Sequence, residues 1–276
     1  MKRLLLLAAA FAALVSSASA QDWAKARLDK SPRHLEWVTV KHDGRDVICY
    51  IGYPEINTKA PAVIVIHEIF GLSDWVRTVV DELAEAGYIA IAPDLLSGLG
   101  AKGGGTAELN STEVGQKIRT LPADQITADL NAVAAYATKL PACNGKLAVT
   151  GYCWGGGQSF RYATNSKNLK TAFVFYGSAP TEDAELARVS CPIYGAFAGN
   201  DARINATLPK TAEQMKAAGK VFEQAIYDGA GHGFMRAGVA PPPEASAERK
   251  ALEGFAANKQ ARDAAWKRML EVLGKI

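Results

Sequence analysis

The chain has 276 residues, of which 49% are hydrophobic and 21% are charged, and its formal net charge is +3. These values are ordinary for a globular protein, and the length suffices for one large domain with a substantial core. The charge forms no basic stripe and no basic patch with interleaved aromatic residues, so we expect no nucleic-acid partner.

The N-terminus is typical of a secretory signal peptide, which we assign to residues 1–20. Lys2 and Arg3 give it a positive start, an apolar run follows, and Ala-Ser-Ala at 18–20 forms a small-residue cleavage site. The alternative is a single anchoring helix, but the apolar run is short for a membrane span. We therefore predict a secreted protein, periplasmic if the source is a Gram-negative bacterium. Its mature residues 21–276 should form a single domain without membrane contact.

The mature chain alternates between short strands and helices. We predict strands at 36–41, 46–52, 62–66, 88–92, 146–150, 172–175, 193–198 and 221–227, and helices at 74–86, 124–140, 158–164, 206–218 and 244–275. The first two strands flank an Asp-Gly turn and should form an antiparallel hairpin at one edge of a sheet. The alternation that follows implies right-handed βαβ units and a mostly parallel sheet with helices on both faces. The glycine-rich stretch 99–105 is expected to be a mobile loop.

The segment Gly-Tyr-Cys-Trp-Gly at 151–155 lies between a predicted strand and a predicted helix. It matches the nucleophile elbow G-x-S-x-G, with sulfur in place of oxygen. Gly151 and Gly155 stand where a Cβ would clash as the chain reverses. The turn would place Cys153 at the N-terminus of the helix, where the helix dipole and free N–H groups favour a thiolate. The alternative is a glycine-rich turn around a buried, inert cysteine.

Two polar loops that follow later strands supply an acid and a base. Asp201 comes just after the strand at 193–198, and His232 comes just after the strand at 221–227. With Cys153 they have the chain order of the α/β-hydrolase triad, and ligands bind at the carboxyl ends of such strands. A histidine of unperturbed pKa about 6.5 can take the thiol proton, while a carboxylate holds its ring. Separately, Asp201 is explained as a turn residue and His232 as a surface histidine, so the prediction depends on the three together.

Three further cysteines are present, at Cys49, Cys143 and Cys191. An even cysteine count in an oxidising compartment is typical of disulfides. A nucleophilic Cys153 must be free, which leaves at most one pair among the other three; each of them could equally be a small buried hydrophobe. No H-E-x-x-H or paired-histidine spacing occurs, so we expect no metal and no cofactor.

Six short segments together resemble the dienelactone hydrolase (carboxymethylenebutenolidase) family, a cysteine-dependent branch of the α/β-hydrolases. They are H-E-I-F-G-L at 67–72, A-P-D-L at 92–95, G-Y-C-W-G-G at 151–156, F-Y-G at 175–177, G-N-D at 199–201 and G-H-G-F at 231–234. One segment alone is weak evidence, but the combination is specific at family level and covers nearly all of the mature chain. The resemblance implies an α/β-hydrolase fold and hydrolysis of a carboxylic ester or lactone through an acyl-thioester.

The resemblance also implies further site residues. The family's glutamate in E-I-F-G sits beside the cysteine and helps to form or hold the thiolate, which implies that role for Glu68; alternatively, Glu68 is a solvated loop acid. The backbone N–H groups of Ile69 and Trp154 would form the oxyanion hole. Arg236, four positions after the loop histidine, would bind a substrate carboxylate. Tyr176 would add a phenol to the pocket, or else serve as a core aromatic.

One family feature is missing from the sequence. A second carboxylate-binding arginine should follow the P-D-L segment, but residues 93–98 are Pro-Asp-Leu-Leu-Ser-Gly. A single guanidinium holds a carboxylate less well than a pair does. We therefore predict a small-molecule ester or lactone substrate without identifying it. A thioesterase or carbohydrate-ester esterase with the same site, and a non-catalytic binding protein that keeps the fold, are the alternatives. The family implies a monomer.

Overall fold

The computed structural model describes residues 23–238 and 249–276, so the predicted signal peptide lies outside the described residues. The strands are β1 Leu35–His42, β2 Arg45–Gly52, β3 Ala60–Ile66, β4 Ile89–Pro93, β5 Cys143–Tyr152, β6 Leu169–Phe175, β7 Ile193–Ala198 and β8 Phe222–Tyr227. The helices are α1 at 23–30, α2 Asp74–Glu85, α3 Ser111–Thr120, α4 Ala123–Lys139, α5 Trp154–Asn165, α6 Asp183–Leu186, α7 Ala202–Asn205, α8 Leu208–Ala217 and α9 Arg249–Leu273.

The strands form one sheet in the order β1-β2-β4-β3-β5-β6-β7-β8. β1 and β2 pair antiparallel, as do β2 and β4, and all remaining pairs are parallel. The β1–β2 turn consists of Asp43 and Gly44, both at positive φ (45° and 74°), which is the backbone that a tight hairpin requires. The predicted mostly parallel sheet with an antiparallel hairpin at one edge is confirmed.

Each face of the sheet carries its own hydrophobic core. Ile64 and Ile66 of β3 pack with α4 and α5 on one face, while Val63 and Val65 pack with α2 and α9 on the other. Alternate side chains of a strand point to opposite faces, so a strand buried on both faces needs a continuous apolar run. Helices on both faces are therefore confirmed, with β3 and β5 at the centre of the sheet.

Four helices were not predicted, namely α1, α3, α6 and α7. At the start of α3, Asn110 and Glu113 form a capping box, a signal that the sequence contains. The predicted helix 206–218 is observed as α8, which has Pro209 in its first turn, where proline favours the start of a helix, and the short α7 precedes it. None of the unpredicted helices changes the sheet, because all of them lie outside it.

The glycine-rich stretch predicted to be a mobile loop is held by hydrogen bonds. The amides of Gly98 and Gly100 both donate to the carbonyl oxygen of Gly104, at 2.9 Å. The carboxylate of Glu108 accepts the amide of Lys102 at 2.9 Å and that of Gly104 at 3.1 Å. These bonds close the stretch into a compact turn next to β4.

None of the helices within 23–238 and 249–276 combines the length and the apolar character that crossing a bilayer needs.

Candidate active site

Cys153 occupies a strained turn between β5 and α5. Its backbone lies at φ 54° and ψ −116°, a region that residues with a Cβ rarely adopt. Strain of this kind persists only where the surrounding structure enforces it, and it is concentrated at functional sites. The turn presents Cys153 at the N-terminus of α5, as predicted for a nucleophile elbow.

The two glycines of the elbow are required by their surroundings. A Cβ on Gly151 would lie 2.0 Å from the carbonyl oxygen of Gly155. A Cβ on Gly155 would lie 2.3 Å from the carbonyl oxygen of His67 and 2.4 Å from that of Ile66. These oxygens belong to the backbone and cannot move away cheaply. The predicted reason for the glycines is confirmed, and the second contact shows that the end of β3 packs directly against the elbow.

Asp201 and His232 form a hydrogen-bonded pair at the carboxyl ends of β7 and β8. Nδ1 of His232 lies 2.5 Å from Oδ2 of Asp201. Asp201 is buried, and its other oxygen accepts the amide of Ile204 at the start of α7, at 3.4 Å. About a third of the His232 side chain is exposed. A buried carboxylate on Nδ1 leaves Nε2 free to accept a proton from another group.

Glu68 is buried beside Arg236. Only 3% of Glu68 is exposed, and its Oε2 lies 3.8 Å from Nε of Arg236. Burial raises the pKa of the Glu68 carboxyl, while the positive charges of Arg236 and His232 oppose that rise. The alternative of a solvated loop acid is wrong. The guanidinium of Arg236 also lies over the ring of Phe70, 5.3 Å from its centroid.

The surroundings of Cys153 favour its neutral thiol. Burial, followed by the negative charge of Glu68, raises the pKa of Cys153 to about 11. The backbone N–H of Trp154 lowers that pKa, as do the charges of Arg236 and Arg203, but they do not offset burial. Burial therefore opposes the thiolate that the helix terminus favours, and the thiolate stays a prediction. Within the described residues, no hydrogen bond joins the sulfur to His232.

Tyr176 combines core packing with a position at the site. It is completely buried at the unusual φ of 40°, and its ring centroid lies 5.0 Å from that of His232. Within the described chain its hydroxyl has no hydrogen-bond partner. Burial and the negative charge of Glu68 hold the pKa of Tyr176 well above its usual value. A strained residue with an unpaired buried hydroxyl is a candidate to bind a substrate.

A cavity of about 370 Å³ opens beside Glu68 and Arg236. Its lining includes the exposed aromatic side chains of Trp37 and Phe70 and a second arginine, Arg77. Sequence reasoning missed Arg77 and Trp37, which lie on α2 and β1 and reach the cavity only through the packing of these elements. No arginine follows the P-D-L segment, but the cavity is lined by two guanidinium groups, those of Arg236 and Arg77.

Arg77 is held at the wall of this cavity. It forms an ion pair with Asp74, three residues earlier on α2. Its guanidinium also lies over two aromatic rings, 5.6 Å from the centroid of Trp37 and 5.3 Å from that of Tyr50. Stacking and pairing reduce the conformational freedom of the side chain, so little of that freedom remains to be lost if a ligand anion binds there.

The other cysteines carry no disulfide. Cys49, Cys143 and Cys191 are free and buried, so the alternative of small buried hydrophobes is confirmed in this structure. Burial raises the pKa of Cys191 to about 12. Cys153 is the most exposed of the four cysteines, which leaves it as the candidate reactive thiol.

Comparison with known proteins assigns the family. Residues 47–276 match the dienelactone hydrolase family. A protein of Yersinia pestis that is provisionally named as a carboxymethylenebutenolidase is 32% identical over 213 residues, which cover 73% of this chain and 79% of that protein.

Two solved structures share the fold. One, from Klebsiella pneumoniae and provisionally named as a dienelactone hydrolase, matches with a TM-score of 0.73 at 24% identity, covering 88% of this chain and 99% of the other. The second, a dienelactone hydrolase-like promiscuous phosphotriesterase from metagenomic libraries, matches with a TM-score of 0.72 at 19% identity, over 88% and 98% of the two chains. With the elbow, the hydrogen-bonded Asp–His pair and the family match in place, the chain belongs to the dienelactone hydrolase family and is a hydrolase with the α/β-hydrolase fold.

Proposed function

We propose that this protein is a secreted hydrolase of small-molecule carboxylic esters or lactones, with Cys153, His232 and Asp201 as its catalytic triad. The observation that supports the triad is the 2.5 Å contact between His232 and Asp201, at the sheet edge where the strained elbow presents Cys153. The carboxymethylenebutenolidase name of the relatives supports the class of substrate.

The proposed reaction starts from a neutral thiol, so it needs a proton acceptor. His232 is one, because Asp201 binds its Nδ1 and would stabilise the imidazolium. Glu68 is a second, because its buried carboxyl has a raised pKa and its charge acts on the thiol of Cys153. The thiolate attacks the ester carbonyl carbon, and the carbonyl electron pair moves to the oxygen. The amides of Ile69 and Trp154 donate to that oxyanion.

Collapse of the oxyanion breaks the bond to the leaving alcohol, which takes its proton from the His232 imidazolium. The acyl group remains on Cys153 as a thioester. Water then attacks the thioester carbonyl while His232 accepts its proton, and the acid leaves as the thiol forms again. The hydroxyl of Tyr176 lacks a protein partner and would donate to the bound substrate or to the oxyanion.

The substrate we propose carries an acidic group next to an apolar part. Arg236 and Arg77 both line the cavity, and Trp37 and Phe70 give it aromatic walls. Both arginines already have carboxylate neighbours, at Glu68 for Arg236 and at Asp74 for Arg77. A substrate carboxylate would therefore compete with these pairs and would not meet a free positive charge.

The test is a panel of esters assayed with the mature protein, using Cys153→Ala as the blank. The panel includes p-nitrophenyl acetate, enol lactones, acyl thioesters and acetylated sugars. Cleavage that disappears in Cys153→Ala supports the proposal, and the best class of substrate separates ester hydrolase from thioesterase and carbohydrate esterase. Cys153→Ser should lose most activity, because an alcohol needs a stronger base than a thiol does. Full activity in Cys153→Ala would refute the triad.

A non-catalytic binding protein is the second candidate, favoured by the raised pKa of Cys153. It predicts no Cys153-dependent cleavage of any substrate on the panel. Cys153-dependent turnover of any substrate on the panel would exclude it.

Secretion is tested separately from catalysis. The full chain, expressed in a Gram-negative host, should appear in the periplasmic fraction with Gln21 as its first residue, which N-terminal sequencing would establish. Recovery of the uncleaved chain from the cytoplasm would contradict the signal peptide but would leave the proposed reaction unaffected.

A further inference from the structure

His67 is a completely buried histidine at the carboxyl end of β3. Its Nδ1 lies 2.8 Å from the carbonyl oxygen of Glu68, and its Nε2 lies 3.2 Å from the amide nitrogen of Leu95. A carbonyl oxygen only accepts and an amide N–H only donates. Nδ1 must therefore carry the proton while Nε2 is bare, so the ring is neutral. Burial also lowers the pKa of His67, which agrees with a neutral ring.

The Glu68 carbonyl oxygen that accepts from His67 also accepts the amide of Gly71, at 3.1 Å. This oxygen belongs to the same planar peptide unit as the N–H of Ile69, and the two groups point in opposite directions. Two donors on the oxygen therefore set the direction of the Ile69 N–H. Within the described part of the chain, that N–H donates to no protein group. Ile69 is half-buried, so this N–H is open to a substrate oxygen.

His67 also contacts the residue that carries the second proposed oxyanion donor. Its ring stacks on the indole of Trp154, with centroids 5.5 Å apart and planes inclined by 16°. The missing Cβ of Gly155 lets the His67 carbonyl oxygen pack against the elbow. The His67 side chain therefore contacts the backbone of one proposed oxyanion donor and the side chain of the residue that carries the other.

We propose that His67 is a positioning residue, which in its neutral form with the proton on Nδ1 fixes the Ile69 amide as an oxyanion donor through the Glu68–Ile69 peptide. The inference rests on the proposed function, because only a hydrolase with an oxyanion intermediate needs this amide. His67 itself contacts no reacting atom. The competing explanation is a core histidine whose two hydrogen bonds only stabilise the loop, and the experiment must separate the two.

The variants are chosen by the atom they retain. His67→Asn keeps a donor near the position of Nδ1, His67→Gln keeps a polar atom near the position of Nε2, and His67→Phe keeps the ring but neither nitrogen. Two reactions of Cys153 are then compared. Hydrolysis of p-nitrophenyl acetate passes through an oxyanion, whereas alkylation by iodoacetamide at a tetrahedral carbon does not.

We expect kcat for hydrolysis to fall about 10- to 100-fold in His67→Phe and His67→Gln, with KM nearly unchanged. A misdirected oxyanion donor loses part of the transition-state stabilisation that is lost when the donor is deleted. His67→Asn should recover most of kcat. Alkylation rates should stay within about twofold of the unmodified protein in all three variants. Thermal unfolding monitors the fold of each. If His67→Phe does not fold, the comparison of His67→Asn with His67→Gln still separates a positioning role from a purely structural one.

Equal kcat for the Asn and Gln variants, or a parallel loss of hydrolysis and alkylation, would overturn the inference. A second readout does not need turnover: a trifluoromethyl ketone adds reversibly to Cys153 and forms an oxyanion, which ¹⁹F NMR detects. Its affinity should fall in His67→Gln and not in His67→Asn, and equal affinities would also overturn the inference. Absence of hydrolysis in the unmodified protein would instead count against the proposed function, so the two failures are distinguishable.

Discussion

Two opposing influences act on the thiol of Cys153, and their balance defines the resting site. Burial and the negative charge of Glu68 raise its pKa to about 11, against the Trp154 amide and the charges of Arg236 and Arg203. A neutral thiol reacts slowly with oxidants and electrophiles, because the thiolate is the nucleophile. The proposed reaction therefore needs a proton acceptor, and we propose Glu68, whose charge raises the thiol pKa, as one such acceptor.

Replacing Glu68 by Gln should affect two reactions of Cys153 in opposite directions. The variant removes a negative charge that raises the thiol pKa, so alkylation by iodoacetamide at about pH 7.5 should become faster. Hydrolysis should become slower, because an amide cannot accept the thiol proton. In the unmodified protein, alkylation should rise about tenfold per pH unit up to about pH 10, since the thiol pKa lies above that range.

Measurement of alkylation and of kcat/KM across the same pH series checks this prediction. Glu213→Gln, an exposed carboxylate on α8, is the matched control and should change neither rate. Slower alkylation in Glu68→Gln would mean that Glu68 stabilises the thiolate in the resting site, contrary to its effect on the pKa of Cys153.

Removal of the Tyr176 hydroxyl should reduce catalysis without reducing stability. The hydroxyl has no partner among the described residues, so Tyr176→Phe loses no protein hydrogen bond and unfolding in urea should be unchanged or slightly improved. If the hydroxyl binds the substrate, the loss of about 1 kcal/mol corresponds to a roughly fivefold fall in kcat/KM. Tyr152→Phe removes another buried, unpaired hydroxyl and is the control. An equal fall in both variants would assign the effect to packing.

At the scale of elements, the β5–α5 turn is defined by how closely it packs on the end of β3. The clash distances at Gly151 and Gly155 are to backbone atoms, so the turn leaves no room for a Cβ at either position. The same contact brings the backbone of His67 against the elbow. The nucleophile and the proposed oxyanion donor of the neighbouring loop are thus held in one rigid unit.

Gly155→Ala should destabilise the fold and abolish activity. Its Cβ would press on the His67 and Ile66 carbonyl oxygens, which we expect to lower the free energy of unfolding by about 2 kcal/mol or more. Gly115→Ala in α3 is the matched control, because its Cβ would only approach the flexible Arg119 side chain. Alanine inside a helix should raise the free energy of unfolding by about 0.5–1 kcal/mol. Urea unfolding of both variants measures the contrast, and equal effects would contradict it.

The first turn of α2 supplies the cavity with an arginine that the loop after β4 lacks. Arg77→Met should raise KM about tenfold for mono-p-nitrophenyl succinate, which carries a free carboxylate, because a hydrogen bond to a charged group is worth about 1.5 kcal/mol. KM for neutral p-nitrophenyl acetate should change little. Arg188→Met, an exposed arginine after α6, is the control. An equal change in KM for both esters would show that Arg77 only shapes the wall.

At the scale of the whole molecule, one sheet separates two hydrophobic cores, and the site lies at the sheet's carboxyl edge between them. Cys49, Cys143 and Cys191 belong to the core on the side of α4 and α5. On the other side, α9 is joined to α2 by Arg262, whose Nη2 lies 2.7 Å from both carboxylate oxygens of Glu82. Each core encloses groups that water and reagents cannot reach in the folded state.

Thiol titration tests this arrangement. In the folded protein, an aromatic disulfide reagent should react with Cys153 alone, slowly because its pKa is raised. Unfolding in guanidinium without reductant should expose all four thiols, since none is in a disulfide. A count of two after unfolding would demonstrate a disulfide that the structure lacks, and rapid reaction of a second thiol before unfolding would contradict the burial of the core.

Local patterns in the sequence were sufficient to predict the sheet, the elbow and the order of the proposed triad. Continuous apolar runs such as 62–66 identify strands buried on both faces, and Gly151 and Gly155 identify a turn whose sterics are local. Asp201 and His232 were predictable because each directly follows a strand, and the carboxyl ends of parallel strands meet at one edge. Residues that follow successive parallel strands are therefore expected to lie close together in the fold.

The electrostatic state and the walls of the site depended on the tertiary structure. The pKa of Cys153 depends on how much surrounding protein excludes water, which no pattern around a cysteine encodes, and the helix terminus alone suggested the opposite state. Arg77 and Trp37 reach the cavity from elements distant in sequence. His67 acquires its proposed role only where Glu68, Leu95 and Trp154 surround it. The sequence alone determined which groups are proposed to carry the chemistry, because those follow local backbone rules. Packing between distant segments decided their burial and their partners, because burial and contact are properties of the folded chain.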